Sequence, residues 1–132
     1  PGGEGGDPSP EPTPGTGTAA LGKSWAELPA ANTSVTEICH YITDVAATGN
    51  GSYPRNFAMG YDKAKKAALW AAYPLHAYYT APNASKERAY SADPSLGKTE
   101  QMVGGVGAPY NKGHQVPNAD RKVSNLANKQ IS

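Results

Sequence analysis

The sequence predicts an α+β fold built around an antiparallel β-hairpin, and three observations carry that expectation. Phe57, Met59 and Tyr61 alternate with the small residues Ala58 and Gly60, which is the two-residue period of a strand with one buried face. A second apolar run, Leu69 to Leu75, follows the charged connection Asp62 to Lys66, so strand, turn and returning strand follow one another. From Asp93 to Pro109 the pattern gives way to Gly97, Gly104, Gly105 and Gly107 with few large apolar anchors. That is the composition of a long surface loop leading into a site.

Taken from the start, residues 1–22 hold five of the twelve prolines, seven of the fifteen glycines, three acids and no base, with Leu21 the only large apolar side chain. Such a segment cannot offset its ordering entropy by burial, so a disordered linker is expected over 1–22 and a folded domain over 23–132. All twelve basic residues but only eight of the eleven acidic ones lie after the linker, a balance of +4. The domain is mildly basic, compatible with a polyanionic partner but without a dense basic stripe.

Val35 to Val45 mixes apolar with polar positions, and its β-branched content leans towards strand. The Ser34-x-x-Glu37 spacing also suits a helix capping box, so both readings stay open there. Asn50-Gly51-Ser52 marks a turn. For the region after it the hairpin is favoured; the competing reading is a helix through Lys63 to Tyr73, rich in Ala and Lys and ended by Pro74. The hairpin reading makes Lys63, Lys65 and Lys66 a solvated tip and turns Trp70 and Tyr73 into the core.

Cys39 is the only cysteine, which excludes an internal disulfide and a Cys-based zinc cluster; a small buried hydrophobe is the expected role. No run approaches the about 20 apolar residues of a membrane-spanning helix. The Pro/Gly/Thr leader has the composition of a stalk behind a removed export signal. A secreted or periplasmic protein, anchored as a lipoprotein in one version, is therefore expected, although an interdomain linker looks the same. Asn32-Thr33-Ser34, Asn50-Gly51-Ser52 and Asn83-Ala84-Ser85 fit the glycosylation pattern, which short sequences often match by chance.

The stretch Tyr110-Asn111-Lys112-Gly113-His114-Gln115-Val116-Pro117-Asn118-Ala119-Asp120-Arg121 is dense in functional side chains. It resembles the active-site motif of the ββα-metal nucleases. In the non-specific DNA/RNA endonucleases of the endonuclease G type, an Asp-Arg-Gly-His core precedes a short polar segment with Pro and often Ala-Asp-Arg. Here Asn111 and Lys112 stand in the first two places; Asn keeps a hydrogen-bonding side chain, and Lys keeps the charge without the bidentate grip of Arg. Three upstream features agree with the same family in order and spacing: Arg55-Asn56-Phe57, Trp70-Ala71-Ala72-Tyr73-Pro74-Leu75, and Asp93-Pro94. From Arg55 to Arg121, these features and the motif span about half of the chain.

The resemblance implies hydrolysis of DNA and RNA without base specificity. That chemistry needs a base for water, positive charge at the phosphate, and a cation at the departing oxygen. A neutral imidazole at His114 suits the first need. Lys112 and Arg55 suit the second, and Gly113 would let the backbone turn tightly between Lys112 and His114. Arg121 is a further substrate-binding candidate, although with Asp120 it also suits a local ion pair that shapes the loop. His40 and His76 have no such context and are expected to be partly buried or at the surface.

Mg²⁺ or another divalent cation is the expected cofactor, since hard oxygen ligands and retained waters suit it. The family's Asn ligand is expected beyond Ser132, on a metal-bearing helix that this sequence does not include. No residue here is therefore assigned to the metal, Asn125 and Asn128 lying too early. A separate C-terminal fragment of the same nuclease is an expected partner, and the isolated chain is expected to be incomplete. The rival expectation is a nucleic-acid-binding or exported surface protein that keeps the scaffold without catalysis.

Overall fold

Residues 28–29, 33–85, 89–104 and 107–132 are described by a computed structural model of the chain. The expected linker over 1–22, Trp25 and Asn32 of the first glycosylation pattern lie outside the described residues. Three antiparallel strands in the order β1-β2-β3 form one sheet: β1 (Thr36–Tyr41), β2 (Arg55–Asp62) and β3 (Ala67–Ala72). Two short helices follow, α1 (Ala77–Thr80) and α2 (Asn125–Gln130), with a 3₁₀ turn at Asn118–Arg121 before the second. This is the expected α+β arrangement.

The element left open between Val35 and Val45 is a strand, so the Ser34-x-x-Glu37 spacing caps no helix. The hairpin reading of 57–75 holds, and the helix through Lys63 to Tyr73 does not form. At the tip the Asp62 Oδ1 accepts the backbone N–H groups of Ala64 and Lys65, each at 3.0 Å, a side-chain clamp that closes the turn. Lys63, Lys65 and Lys66 are exposed as expected, with Lys63 reaching Glu100 at 2.8 Å.

β2 is the central strand, and every residue of it except Asp62 is buried. Ile38 of β1 and Phe57, Met59 and Tyr61 of β2 form one apolar face, onto which Leu96, Val116 and Ile131 pack. A second cluster joins Ile42, Tyr79, Val123 and Ala127. Cys39, opposite Ala58 on the other face, is half-buried rather than enclosed.

Two irregularities in register decide what the sheet presents. His40 faces Phe57 while Tyr41 faces Arg55, so Asn56 is an extra residue on β2. Its side chain turns to α2, donating to the Ala127 carbonyl at 3.0 Å and to Gln130 Oε1 at 2.8 Å, and its own carbonyl accepts from Arg121. On β3, Gly60 faces Trp70 and Tyr61 faces Ala68, so Leu69 is the extra residue. Trp70 thus leaves the Phe57 face and lies half-buried across Gly60, which corrects the expectation that it fills the core. Tyr73 does pack against that core, partly buried.

A Cβ on Gly60 would stand 2.2 Å from Trp70 Nε1 and 2.4 Å from its Cε2. The indole must therefore shift for any larger residue to fit. Gly60→Ala is expected to destabilise the chain by about 1–3 kcal/mol through overpacking, read as a lower urea midpoint. The double variant Gly60→Ala/Trp70→Ala should lose less than the sum of the two single losses, whereas additive losses would place the clash elsewhere.

Candidate active site

The motif from Tyr110 to Pro117 has no regular secondary structure, so its geometry depends on anchors. Val116 is fully buried on the sheet's apolar face, and Gln115 N–H donates 2.8 Å to the Ile131 carbonyl just past α2. α2 is itself started by Ser124, whose side chain accepts the Ala127 N–H at 3.0 Å. Two residues before Val116, His114 is half-buried, while Asn111, Lys112 and Gly113 are exposed. Gly113 has no left-handed backbone, and a Cβ there would meet nothing. The tight turn expected of it does not occur; the side chains after it hold the segment.

Tyr90 is one side chain that meets His114. Its hydroxyl lies 3.3 Å from His114 Nδ1 and 3.5 Å from the Lys112 carbonyl, and the two rings are 5.2 Å apart. The sequence carried no signal for this contact, since Tyr90 sits in an irregular stretch 24 residues earlier.

A cleft of about 500 Å³ runs beside Gln115, lined by His40, Phe57, Asp93, Gln101 and Lys129 among others. At its wall His40 Nε2 and Asp93 Oδ2 are 2.8 Å apart, joining β1 to the Asp93-Pro94 segment. Asp93 Oδ1 accepts Ser95 N–H, and Gln101 brackets the Asp93 backbone, accepting from its N–H at 2.8 Å and donating to its carbonyl at 2.9 Å. His40 is buried on the Phe57 face, a place its alternation with Ile38 already indicates. His76 stays exposed, edge-on to Tyr79.

Burial works to raise the Asp93 carboxyl pKa. The hydrogen bond and charge of His40 and the Ser95 contacts outweigh it and hold the carboxyl below its ordinary value. A carboxyl depressed on folding adds stability above its unfolded pKa of about 3.9, and that contribution disappears as pH falls through the lower folded value. Asp93→Asn should therefore cost about 1–3 kcal/mol near neutral pH. In urea melts the gap to the unsubstituted chain should shrink below about pH 4. A gap that stays constant with pH would show that charge on Asp93 plays no part.

The arginines are placed otherwise than their charge suggested. Arg121 is fully buried: Nε and Nη2 donate to the Asn56 carbonyl at 3.2 and 3.0 Å, Nη2 to the Pro74 carbonyl at 2.7 Å, and Nη1 to the Asp120 carbonyl at 2.6 Å. The guanidinium also stacks on Tyr73 and Tyr79, 4.8 and 4.4 Å from their ring centres. Burial lowers its pKa, against the opposing influence of Tyr79, Asp120 and Tyr73. No surface of it is left for a phosphate, which corrects its assignment as a substrate contact. The expected carboxylate ion pair is also replaced: Asp120 offers Arg121 its carbonyl and accepts the Tyr73 hydroxyl at 3.2 Å on its carboxylate. Arg55 is buried too, on the wall of a second cavity of about 420 Å³ with His76, Tyr78 and Tyr79, and not at an exposed strand start.

With His114, Lys112 and the anchored motif in place, the decisive comparison is with whole families. Residues 35–131 match the family model described as DNA/RNA non-specific endonuclease. The chain belongs to the DNA/RNA non-specific endonuclease family. No curated protein and no solved structure matches it. For a chain of this endonuclease family a divalent cation is the implied group. Among the described residues no three His, Cys, Asp or Glu side chains come together to hold a metal. Of the nearby amides, Asn118 Oδ1 accepts from Asn128 Nδ2 and Asn125 Oδ1 accepts from both the backbone and the side chain of Ser85, while Asn128 Oδ1 is buried with no hydrogen-bond partner. Nor is any described helix long and apolar enough to cross a membrane.

Proposed function

We propose that this chain carries the proton-accepting half of a metal-dependent endonuclease site of ββα-metal architecture, which hydrolyses the phosphodiester bonds of DNA and RNA without base specificity. The observation that carries the reading is the position of His114 within a family match that spans the motif: half-buried, on a segment pinned by Val116 and by the Gln115 to Ile131 hydrogen bond. His114 takes the proton of the attacking water. Lys112, exposed two residues away, offers positive charge to the phosphate. Arg55 acts on the phosphate only if the substrate reaches the second cavity. Recognition through phosphates rather than base edges accounts for tolerance of sequence and makes binding weaken with salt.

Mg²⁺ or a similar cation is the proposed cofactor; its role is to stabilise charge on the departing oxygen. Export to the periplasm or beyond is part of the same proposal and rests on the composition of residues 1–22. A second reading is favoured by one observation, the Lys112 replacement in the motif. It makes the chain a nucleic-acid-binding scaffold without catalysis.

Supercoiled plasmid and single-stranded RNA, incubated with the chain and Mg²⁺ or Mn²⁺, separate the two. The same assay applies to any longer form that the gene encodes. Cation-dependent cleavage of both polymers supports the nuclease. Salt-sensitive binding without cleavage in either form, by protein of native fold, sinks it in favour of the scaffold.

A further inference from the structure

The hairpin tip carries Lys63, Lys65 and Lys66, and the fold treats them differently. Lys63 Nζ is 2.8 Å from Glu100 Oε1, and Lys65 Nζ is 3.4 Å from Asp62 Oδ2. Lys66 has no carboxylate partner among the described residues, and of the three it is the one that lines the cleft of about 500 Å³ beside Gln115. Its φ of 54° lies in the left-handed region, which glycine holds at lower cost, so the turn by itself gives no reason for a lysine there.

Lys129, exposed on α2, lines the same cleft and likewise has no carboxylate partner among the described residues. Two residues after it, the Ile131 carbonyl accepts Gln115 N–H, so the end of α2 and the motif segment are tied together. Asp93 is the one acid in the lining among the described residues, and its oxygens are taken: Oδ2 lies 2.8 Å from His40 Nε2, and Oδ1 accepts Ser95 N–H. Two ammonium groups thus stand against one carboxylate that is already matched. The cleft favours an anion.

We propose that this cleft is a docking track for the phosphodiester backbone of a single nucleic-acid strand, with Lys66 and Lys129 as phosphate contacts. The assignment rests on the reading of the chain as a protein that acts on nucleic acid, and it adds two contacts outside the motif. Gln115 lines the cleft three residues after the exposed Lys112, so track and motif are continuous along the chain. The volume lies in the range of small-ligand pockets, which admits a nucleotide unit of one strand and not a duplex. An ammonium meets phosphate oxygens without reading a base, so both contacts add affinity and no sequence preference.

The test is binding of a fluorescein-labelled thymidine oligonucleotide to the full chain across a salt series, in EDTA so that no strand is cut. Lys66→Gln and Lys129→Gln should each weaken binding about three- to tenfold at about 0.1 M salt, and make the slope of log affinity against log salt shallower by about 0.7. Lys63→Gln and Lys65→Gln remove the same unit of charge, yet should stay within about twofold with the slope unmoved. Lys66→Gly removes the charge and suits the backbone. It should bind as weakly as Lys66→Gln while melting no lower than the unsubstituted chain.

Equal losses in all four glutamine variants would reduce the effect to net charge and overturn the assignment. Unmoved slopes in Lys66→Gln and Lys129→Gln, or no salt-sensitive binding by the folded chain, would do the same. Cleavage with Mg²⁺ is scored separately. A chain that binds through Lys66 and Lys129 yet never cuts sinks the nuclease reading and leaves the track in place.

Discussion

His114→Ala is expected to lower phosphodiester cleavage by about 10²- to 10⁴-fold, the contribution of a positioned general base, with the fold intact. The separation of the two effects follows from how the motif is held. Val116 carries the burial, Gln115 N–H carries the tie to Ile131, and the 3₁₀ turn after Pro117 is fixed by Arg121. His114 is not one of these anchors: it is half-buried, and Tyr90 is among its contacts. Because the anchors stay in place, its truncation is expected to cost about 1 kcal/mol of stability. Plasmid nicking with a divalent cation, run beside circular-dichroism melts, checks both halves. Cleavage within a few-fold of the unsubstituted rate would remove His114 from the reaction. Loss of both cleavage and fold would show that the imidazole is a structural element after all.

Much of the sheet was legible because one physical signal, alternation, governs it. Phe57, Met59 and Tyr61 lie together on the buried face as their spacing requires, and Ile38 with His40 follows the same rule on β1. What alternation cannot see is a bulge. Leu69 is an extra residue, exposed, with no special chemistry, and it carries Trp70 off the Phe57 face and across Gly60. A count by twos through an unmarked bulge points to the wrong side of the sheet. Asn56 hides the other bulge in the same way, and there the consequence is larger, because its carbonyl becomes the acceptor for Arg121.

The site divides along a similar line. His114 is proposed through neighbours in sequence, since the Gly-His motif is local. Tyr90 and the His40 to Asp93 pairing were not assigned, because they join residues 24 and 53 positions apart and no local pattern encodes such distances. Charge misled for a related reason. A guanidinium in a motif reads as a phosphate ligand unless the carbonyls that surround it are known, and those of Asn56 and Pro74 come from 65 and 47 positions away.

Arg121→Met is therefore expected to be the most destabilising single change of those considered, by about 3–5 kcal/mol. Methionine can occupy part of the volume between Tyr73 and Tyr79, but it supplies none of the N–H groups that the carbonyls of Asn56, Pro74 and Asp120 accept. The Asn56 carbonyl belongs to a bulge on the central strand, at a residue that is itself fully buried, so water cannot simply replace the lost donors. Arg121→Lys keeps the charge yet fails for geometry. One ammonium cannot reach the Asn56 and Pro74 carbonyls and also lie flat against two aromatic rings, so it should lose much of the same stability. Urea denaturation of both variants decides between two roles for this residue. A phosphate ligand would leave the midpoint unchanged and weaken nucleic-acid binding with a shallower salt dependence. A buried post would lower the midpoint in both variants, with loss of binding only in proportion to loss of fold, and that is the result the four guanidinium hydrogen bonds require.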